Sequence, residues 1–150
     1  MGKVKNDSLG SRMKAYESVS RNFLTRRVPV IIRIDGKAFH TFTRGLQKPF
    51  DTRIMDAMRG TMKFLCQNIQ GCVFGYTQSD EITLVLTDYE TIATDAWFGY
   101  NVQKMCSIAA SMATLEFNRL FREYDELPEK FDSAMFDARA FSVPKKEVCN

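Results

Sequence analysis

Three carboxylates carry the chemistry this sequence could perform. Asp35 closes the β-branched run "VPVIIRID" (residues 28–35), while Asp80 and Glu81 stand side by side in "YTQSDEITLVL" (residues 76–86), which reads as two short strands joined by a turn. Adjacent acids repel. A protein relieves such repulsion by keeping one acid protonated, by bringing in an arginine, or by binding a hard divalent cation. Mg²⁺ suits the third solution, because it takes oxygen ligands, uses one or two carboxylates, and keeps positions for water and substrate phosphates. The plain alternative is that Asp80 and Glu81 are polar turn residues and Asp35 caps the segment behind it.

The stretch beside Asp35 favours the metal reading. In "DGKAFHTFTR" (residues 35–44), Gly36 lets the backbone approach a ligand closely, and the residues after it can open a short helix whose free N–H groups attract phosphate. Lys37, His40, Arg44 and Lys48 are near enough in sequence to assist. A metal edge beside an anion-binding turn describes a nucleoside triphosphate site, and the absence of a GxxxxGK[ST] stretch excludes a P-loop. His40, the single histidine of the chain, also has a bland reading as a packed or helix-capping residue.

The elements that must position these residues are legible. Residues 28–35 form a buried strand entered after Pro29. Asp51 is a plausible N-cap for an amphipathic helix with Ile54, Met55, Met58, Met62, Leu65 and Ile69 on its apolar face and Gly71 at its exit. That methionine-rich face reads as ordinary core rather than a cofactor pocket. Two hairpin strands follow, 72–79 and 81–87. A long helix is expected over 95–124, with Trp97, Phe98, Val102, Met105, Ile108, Ala109, Met112, Leu115 and Phe121 as its stripe, and "MFDARAFSVP" (residues 135–144) reads as a last strand. The order β-α-β-β-α-β is the split βαβ, or ferredoxin-like, arrangement of an α+β fold. Its third strand lies between the first and second, so Asp35 and Asp80 are expected on neighbouring strands at one edge of the sheet, without a local basic partner.

Length and composition fit one such domain. With 150 residues and 45% hydrophobic content, the chain can bury a single core. No signal peptide or run of roughly 18 apolar residues appears, so a cytoplasmic protein without a membrane partner is expected. Cys66, Cys72, Cys106 and Cys149 lack metal-site spacing and read as reduced thiols, two or three of them in the core. Residues 1–27 hold seven Lys or Arg against Asp7 and Glu17, a net of +5, while the rest of the chain balances to −2. The domain reading is therefore a basic arm or helix (1–27) leading a catalytic body (28–150), and the arm could meet a phosphate backbone through charge attraction or be a solvated face.

"RIDGKAFHTFTR" (33–44), "KPFD" (48–51), "GYTQSDEITLVL" (75–86) and "FDARAF" (136–141), in this order and spacing, resemble the motifs of the tRNA(His) guanylyltransferase superfamily, including its Thg1-like members. The resemblance implies a polymerase-type palm, an antiparallel sheet with helices on one face, that adds nucleotides to the 5′ end of tRNA in the 3′–5′ direction. Carried onto this sequence, it implies that Asp35 and Asp80, with the Gly36 carbonyl, bind two Mg²⁺ ions and that Glu81 supports them. It further implies that the backbone of Lys37, Ala38 and Phe39, with His40 and Ser79, holds the triphosphate of GTP or ATP, with Lys48 and Asp51 close to the nucleotide. A homotetramer is implied as well. Gly99, Tyr100 and Asn101 replace a more basic stretch of the eukaryotic enzymes, which favours a Thg1-like member. Family members continue past "VPKKEVCN", so this chain is expected to match their catalytic half. Two other readings stay open: a nucleotide cyclase-like palm acting on triphosphate alone, and a non-catalytic nucleotide- or RNA-binding module.

Overall fold

Alternation along the first strand decides how the sheet is built. In the computed structural model, which describes residues 8–49 and 51–150, β1 (Val30–Gly36) turns Val30, Ile32 and Ile34 inward with no solvent exposure and leaves Arg33 and Asp35 half-buried on the opposite face. The strand starts later than residue 28 because Pro29 has no N–H to give a ladder; its carbonyl instead accepts from Val143 N–H at 3.2 Å. Lys3 and Lys5 of the basic arm, and Phe50 of the "KPFD" motif, lie outside the described residues.

Strands β2 (Cys72–Gln78), β3 (Glu81–Leu86) and β4 (Phe136–Ser142) complete an antiparallel sheet of order β2-β3-β1-β4. β3 separates β1 from β2, as the split βαβ order requires. Two helices cover one face. α3 (Thr52–Asn68) follows the short α2 (Phe39–Phe42) and lies against β2, whereas α4 (Val102–Phe121) lies against β4 and β1. Gly71 makes the return from α3 possible. Its φ of +81° is left-handed, and a Cβ there would stand 2.6 Å from the Thr87 carbonyl oxygen.

The expected continuous helix over 95–124 is broken. Trp97–Tyr100 form a 3₁₀ turn in which Phe98 and Gly99 are left-handed, and Asn101 then caps α4 by accepting from Lys104 N–H at 3.1 Å. The buried stripe of α4 is Met105, Ala109, Ala113, Phe117 and Phe121, a strict four-residue repeat. Leu115, expected in the stripe, is 74% exposed because it sits on the outer side. The cysteines are free but less buried than expected: Cys66, Cys72 and Cys106 are half-buried and Cys149 is exposed. Burial, with Cys66 beside it, pushes the Cys72 thiol up to about 12.

The leading helix α1 (Leu9–Val19) has no buried residue. After it the chain is anchored: Leu24 N–H reaches the Tyr100 carbonyl at 3.0 Å, and Val102 N–H reaches that of Asn22 at 2.9 Å. Asp88, fully buried, accepts from Arg26 Nε at 2.6 Å and from Arg27 N–H at 2.9 Å. Among the described residues, no helix is long and apolar enough to cross a membrane.

Candidate active site at the sheet edge

The end of β1 and the β2–β3 turn are fastened to each other. Gly36 N–H donates to the Asp80 carbonyl at 3.0 Å, and Asp35 pairs across the ladder with Glu81. The turn itself is only Ser79 and Asp80, with Ser79 left-handed at φ 56°. Ser79 Oγ donates to Asp80 Oδ1 at 3.3 Å. Asp35, Asp80 and Glu81 are thus brought to one edge.

On its other side Asp35 faces Asp137 of β4, an acid the sequence reading did not count. The signal was present: "FDARAF" was read as a strand, and the topology puts that strand beside β1. Only the register was lacking. A basic partner was also missed, since Arg33 Nη2 meets Glu81 Oε2 at 2.6 Å. Arg33 is two residues before Asp35 and shares its face. Burial, followed by the charges of Asp80, Asp137 and Glu81, raises the Asp35 carboxyl above its usual range, with Arg139 opposing.

Past Asp35 the chain turns sharply. Lys37 N–H donates to the Met135 carbonyl at 2.8 Å, so this amide, expected to face phosphate, is already engaged. Ala38 is left-handed at φ 53°, and α2 begins at Phe39 without a side-chain cap. Gly36 has a second reason to be glycine: a Cβ would stand 2.3 Å from the Phe39 ring. That ring packs among Phe42, Phe117 and Phe136. Lys130 holds the far end of α2, its Nζ donating to the carbonyls of Phe42 and Arg44.

A cavity of about 590 Å³ opens between α2, the start of α3 and the hairpin tip. His40, Lys48, Asp51, Ser79 and Asp80 line it, with Phe39 behind, so six of the residues singled out from sequence share one hollow. Met55 and Met58 line it too, so the methionine face of α3 serves both core and cavity. Asp35, Gly36, Lys37, Ala38 and Glu81 lie outside its lining. Asp51 is the N-cap of α3 as read, its carboxylate taking Arg53 N–H, Gln47 N–H and the Arg53 guanidinium. The guanidinium lowers its pKa to about 2. A second hollow, about 240 Å³, lies against Tyr76, Gln78, Ser79, Asp80 and Glu81.

Among the described residues, no three His, Cys, Asp or Glu side chains are gathered closely enough to hold a metal ion by themselves. A cation at this edge would draw on backbone or substrate oxygens besides one or two carboxylates, which is the habit of Mg²⁺.

Comparison with known proteins agrees with this architecture. A bacterial tRNA(His) guanylyltransferase (Thg1)-like protein, solved in complex with ATP, superposes with a TM-score of 0.90 at 48% identity, over 95% of this chain and 61% of that one. Its counterpart in complex with GTP matches equally well over 67% of its length. The tRNA(His) guanylyltransferase of Schizosaccharomyces pombe is 28% identical over 138 residues, covering 91% of this chain and 50% of the yeast protein. The chain thus spans about half the length of such curated relatives. The Thg1 family model, described as tRNAHis guanylyltransferase, matches residues 10–144. On that match and on a palm-type sheet that brings Asp35 and Asp80 together, the chain belongs to the tRNA(His) guanylyltransferase (Thg1) family.

Proposed function

We propose that this protein is a nucleotidyltransferase that adds nucleotides to the 5′ end of tRNA in the 3′–5′ direction, in guanylylation or 5′-end repair. The observation that carries this reading is the bond from Gly36 N–H to the Asp80 carbonyl, which places two acids beside a cavity of nucleotide size. GTP or ATP would enter the cavity with its phosphates toward His40, Lys48, Ser79 and the amides of Ala38 and Phe39, and its base toward Met55 and Met58. Asp51 frames the cavity, but its oxygens already accept from four N–H donors, so its part is to fix the start of α3.

The donor set fits a hard divalent ion. Asp35, Asp80 and the Gly36 carbonyl offer oxygen only, and the Asp35 carboxyl, raised first by burial and then by the charges of Asp80, Asp137 and Glu81, stands where a cation would offset those neighbouring charges. These residues would hold Mg²⁺, two ions in the fullest form of the reading. When bound, such ions neutralise charge on a transferring phosphoryl group and lower the pKa of an attacking hydroxyl. The chain's own task is positional: the fastened turn keeps Asp35 and Asp80 in step, and Arg33 draws Glu81 aside so that it supports rather than bridges. In this scheme an oxygen of the 5′-monophosphate first attacks the α-phosphorus of ATP or GTP and expels pyrophosphate, after which the 3′-hydroxyl of the incoming nucleotide attacks the activated 5′-phosphorus and expels the nucleoside monophosphate. A cytoplasmic homotetramer completes the reading.

The test is incubation with Mg²⁺, ATP, labelled GTP and a 5′-monophosphorylated tRNA lacking its first nucleotide, beside an Asp80→Ala control and a sample without tRNA. Label joined to the tRNA only by the unaltered protein supports the proposal. A cyclic product formed without tRNA would replace it with a cyclase, and triphosphate binding without turnover would leave a binding module.

A further inference from the structure

The sheet face turned away from the helices carries three ordered rows. Nearest the turn stand Gln78, Glu81, Asp35 and Asp137; behind them Tyr76, Thr83, Arg33 and Arg139; and behind those Phe74, Val85, Ile31 and Phe141. Two aromatic rings of this face are open to solvent on β2, Phe74 at 59% and Tyr76 at 53% exposure. Residues two apart on a strand are separated by about 7 Å, too far for one stacked base and suited to two splayed bases. Tyr76 is oriented by its hydroxyl, 3.3 Å from Gln78 Oε1. The smaller hollow shares Gln78, Ser79 and Asp80 with the larger cavity and adds Tyr76 and Glu81, so the two meet at the hairpin tip.

We infer that this face is the bed for the acceptor strand: a 5′-phosphorylated RNA end whose terminal bases stack on Tyr76 and Phe74 and whose phosphates meet Arg139 and Arg33. The inference rests on the reading above, in which the acceptor is a nucleic acid. Continuity selects this occupant, because a nucleotide in the larger cavity and a strand end in the smaller hollow converge on Asp80. The chemistry agrees: exposed rings beside arginines supply stacking and phosphate contacts together. Cations at the acidic row, as in that reading, would offset its repulsion of the strand.

The test measures binding of a fluorescein-labelled RNA hairpin with a 5′-phosphate and a 5′-terminal 4-thiouridine, in Mg²⁺, by anisotropy and by photo-crosslinking. Variants are Phe74→Ala, Tyr76→Ala, their double and Arg139→Gln, with Leu115→Ala, on the outer side of α4, as control. Each ring removed is expected to weaken RNA binding roughly tenfold, and Arg139→Gln to reduce the salt dependence by about one phosphate contact. The crosslink should map to β2, and calorimetric GTP binding should stay unchanged. Loss of RNA binding in these variants, in a protein that binds no GTP, would keep the bed and overturn the nucleotide site instead. Unchanged RNA affinity in the double variant, or a crosslink on the helical side, overturns the inference. If the double variant instead splits an oligomer and keeps its RNA affinity, the face joins copies of this chain and the inference is likewise overturned.

Discussion

Gly36, at the end of β1, and Asp80, in the β2–β3 turn, are joined by a 3.0 Å hydrogen bond from the glycine N–H to the aspartate carbonyl. The bond uses main-chain atoms only, so it leaves the carboxylates of Asp35 and Asp80 free for chemistry while fixing where their backbones stand. Side-chain replacement should therefore separate catalysis from folding. Asp35→Asn and Asp80→Ala are each expected to lower nucleotide addition by about 10²–10³-fold or more, with melting temperatures unchanged or raised because a like-charge repulsion is relieved. A matching collapse of the circular dichroism spectrum would mean that the acids are structural.

Asp51 predicts a pH effect. Its pKa is lowered to about 2 by the Arg53 guanidinium, against about 3.9 in an unfolded chain. The stability it lends is present above pH 4 and is lost as pH falls toward 2, on the order of 2 kcal/mol in all. Thermal melts across that window should show Asp51→Asn less stable at neutral pH and converging on the parent protein in acid.

Lys130 predicts a positioning effect. Its ammonium takes the carbonyl of Phe42, the last residue of α2, and that of Arg44 just beyond it, and lies over the Phe42 ring, 5.5 Å from the centroid. Lys130→Met should let α2 drift, raising KM for the triphosphate several-fold while kcat falls less, and Lys130→Arg should restore part of the affinity. An equal fall in kcat alone would place Lys130 in the chemistry.

Asp88 predicts a stability effect away from the site. Asp88→Ala leaves the Arg27 N–H and the Arg26 guanidinium without their carboxylate and is expected to cost about 2–3 kcal/mol, measured by urea unfolding. Arg26→Ala should cost less, since half of that side chain is already in water and Asp88 would keep the Arg27 N–H.

Much of this was legible because it is periodic. A β-branched run gave β1, alternation gave the hairpin, apolar spacing behind the Asp51 cap gave α3, and the order of elements put Asp35 and Asp80 on one edge. What escaped depends on register and on backbone detail that periodicity does not carry. Asp137 came into view only when β4 was aligned residue by residue against β1, and the Arg33–Glu81 pair only when the shared face was known. The break before α4 was hidden because Trp97 and Phe98 read as apolar helix positions, whereas the left-handed pair Phe98 and Gly99 turns the chain there. The Lys37 amide was spoken for by Met135, a contact between residues distant in sequence.

Ala38 and Ser79 hold the two corners of the site in left-handed backbone without being glycine, at roughly 1–2 kcal/mol each. Such conformations persist only while the surroundings hold them, here the Phe39 ring cluster and the Gly36–Asp80 bond. Both corners are therefore poised to relax as soon as that grip weakens. Warming should release them before the helices and the centre of the sheet give way, so the protein should lose its grip on GTP several degrees below the temperature at which its circular dichroism melts: a molecule that goes blind before it falls apart.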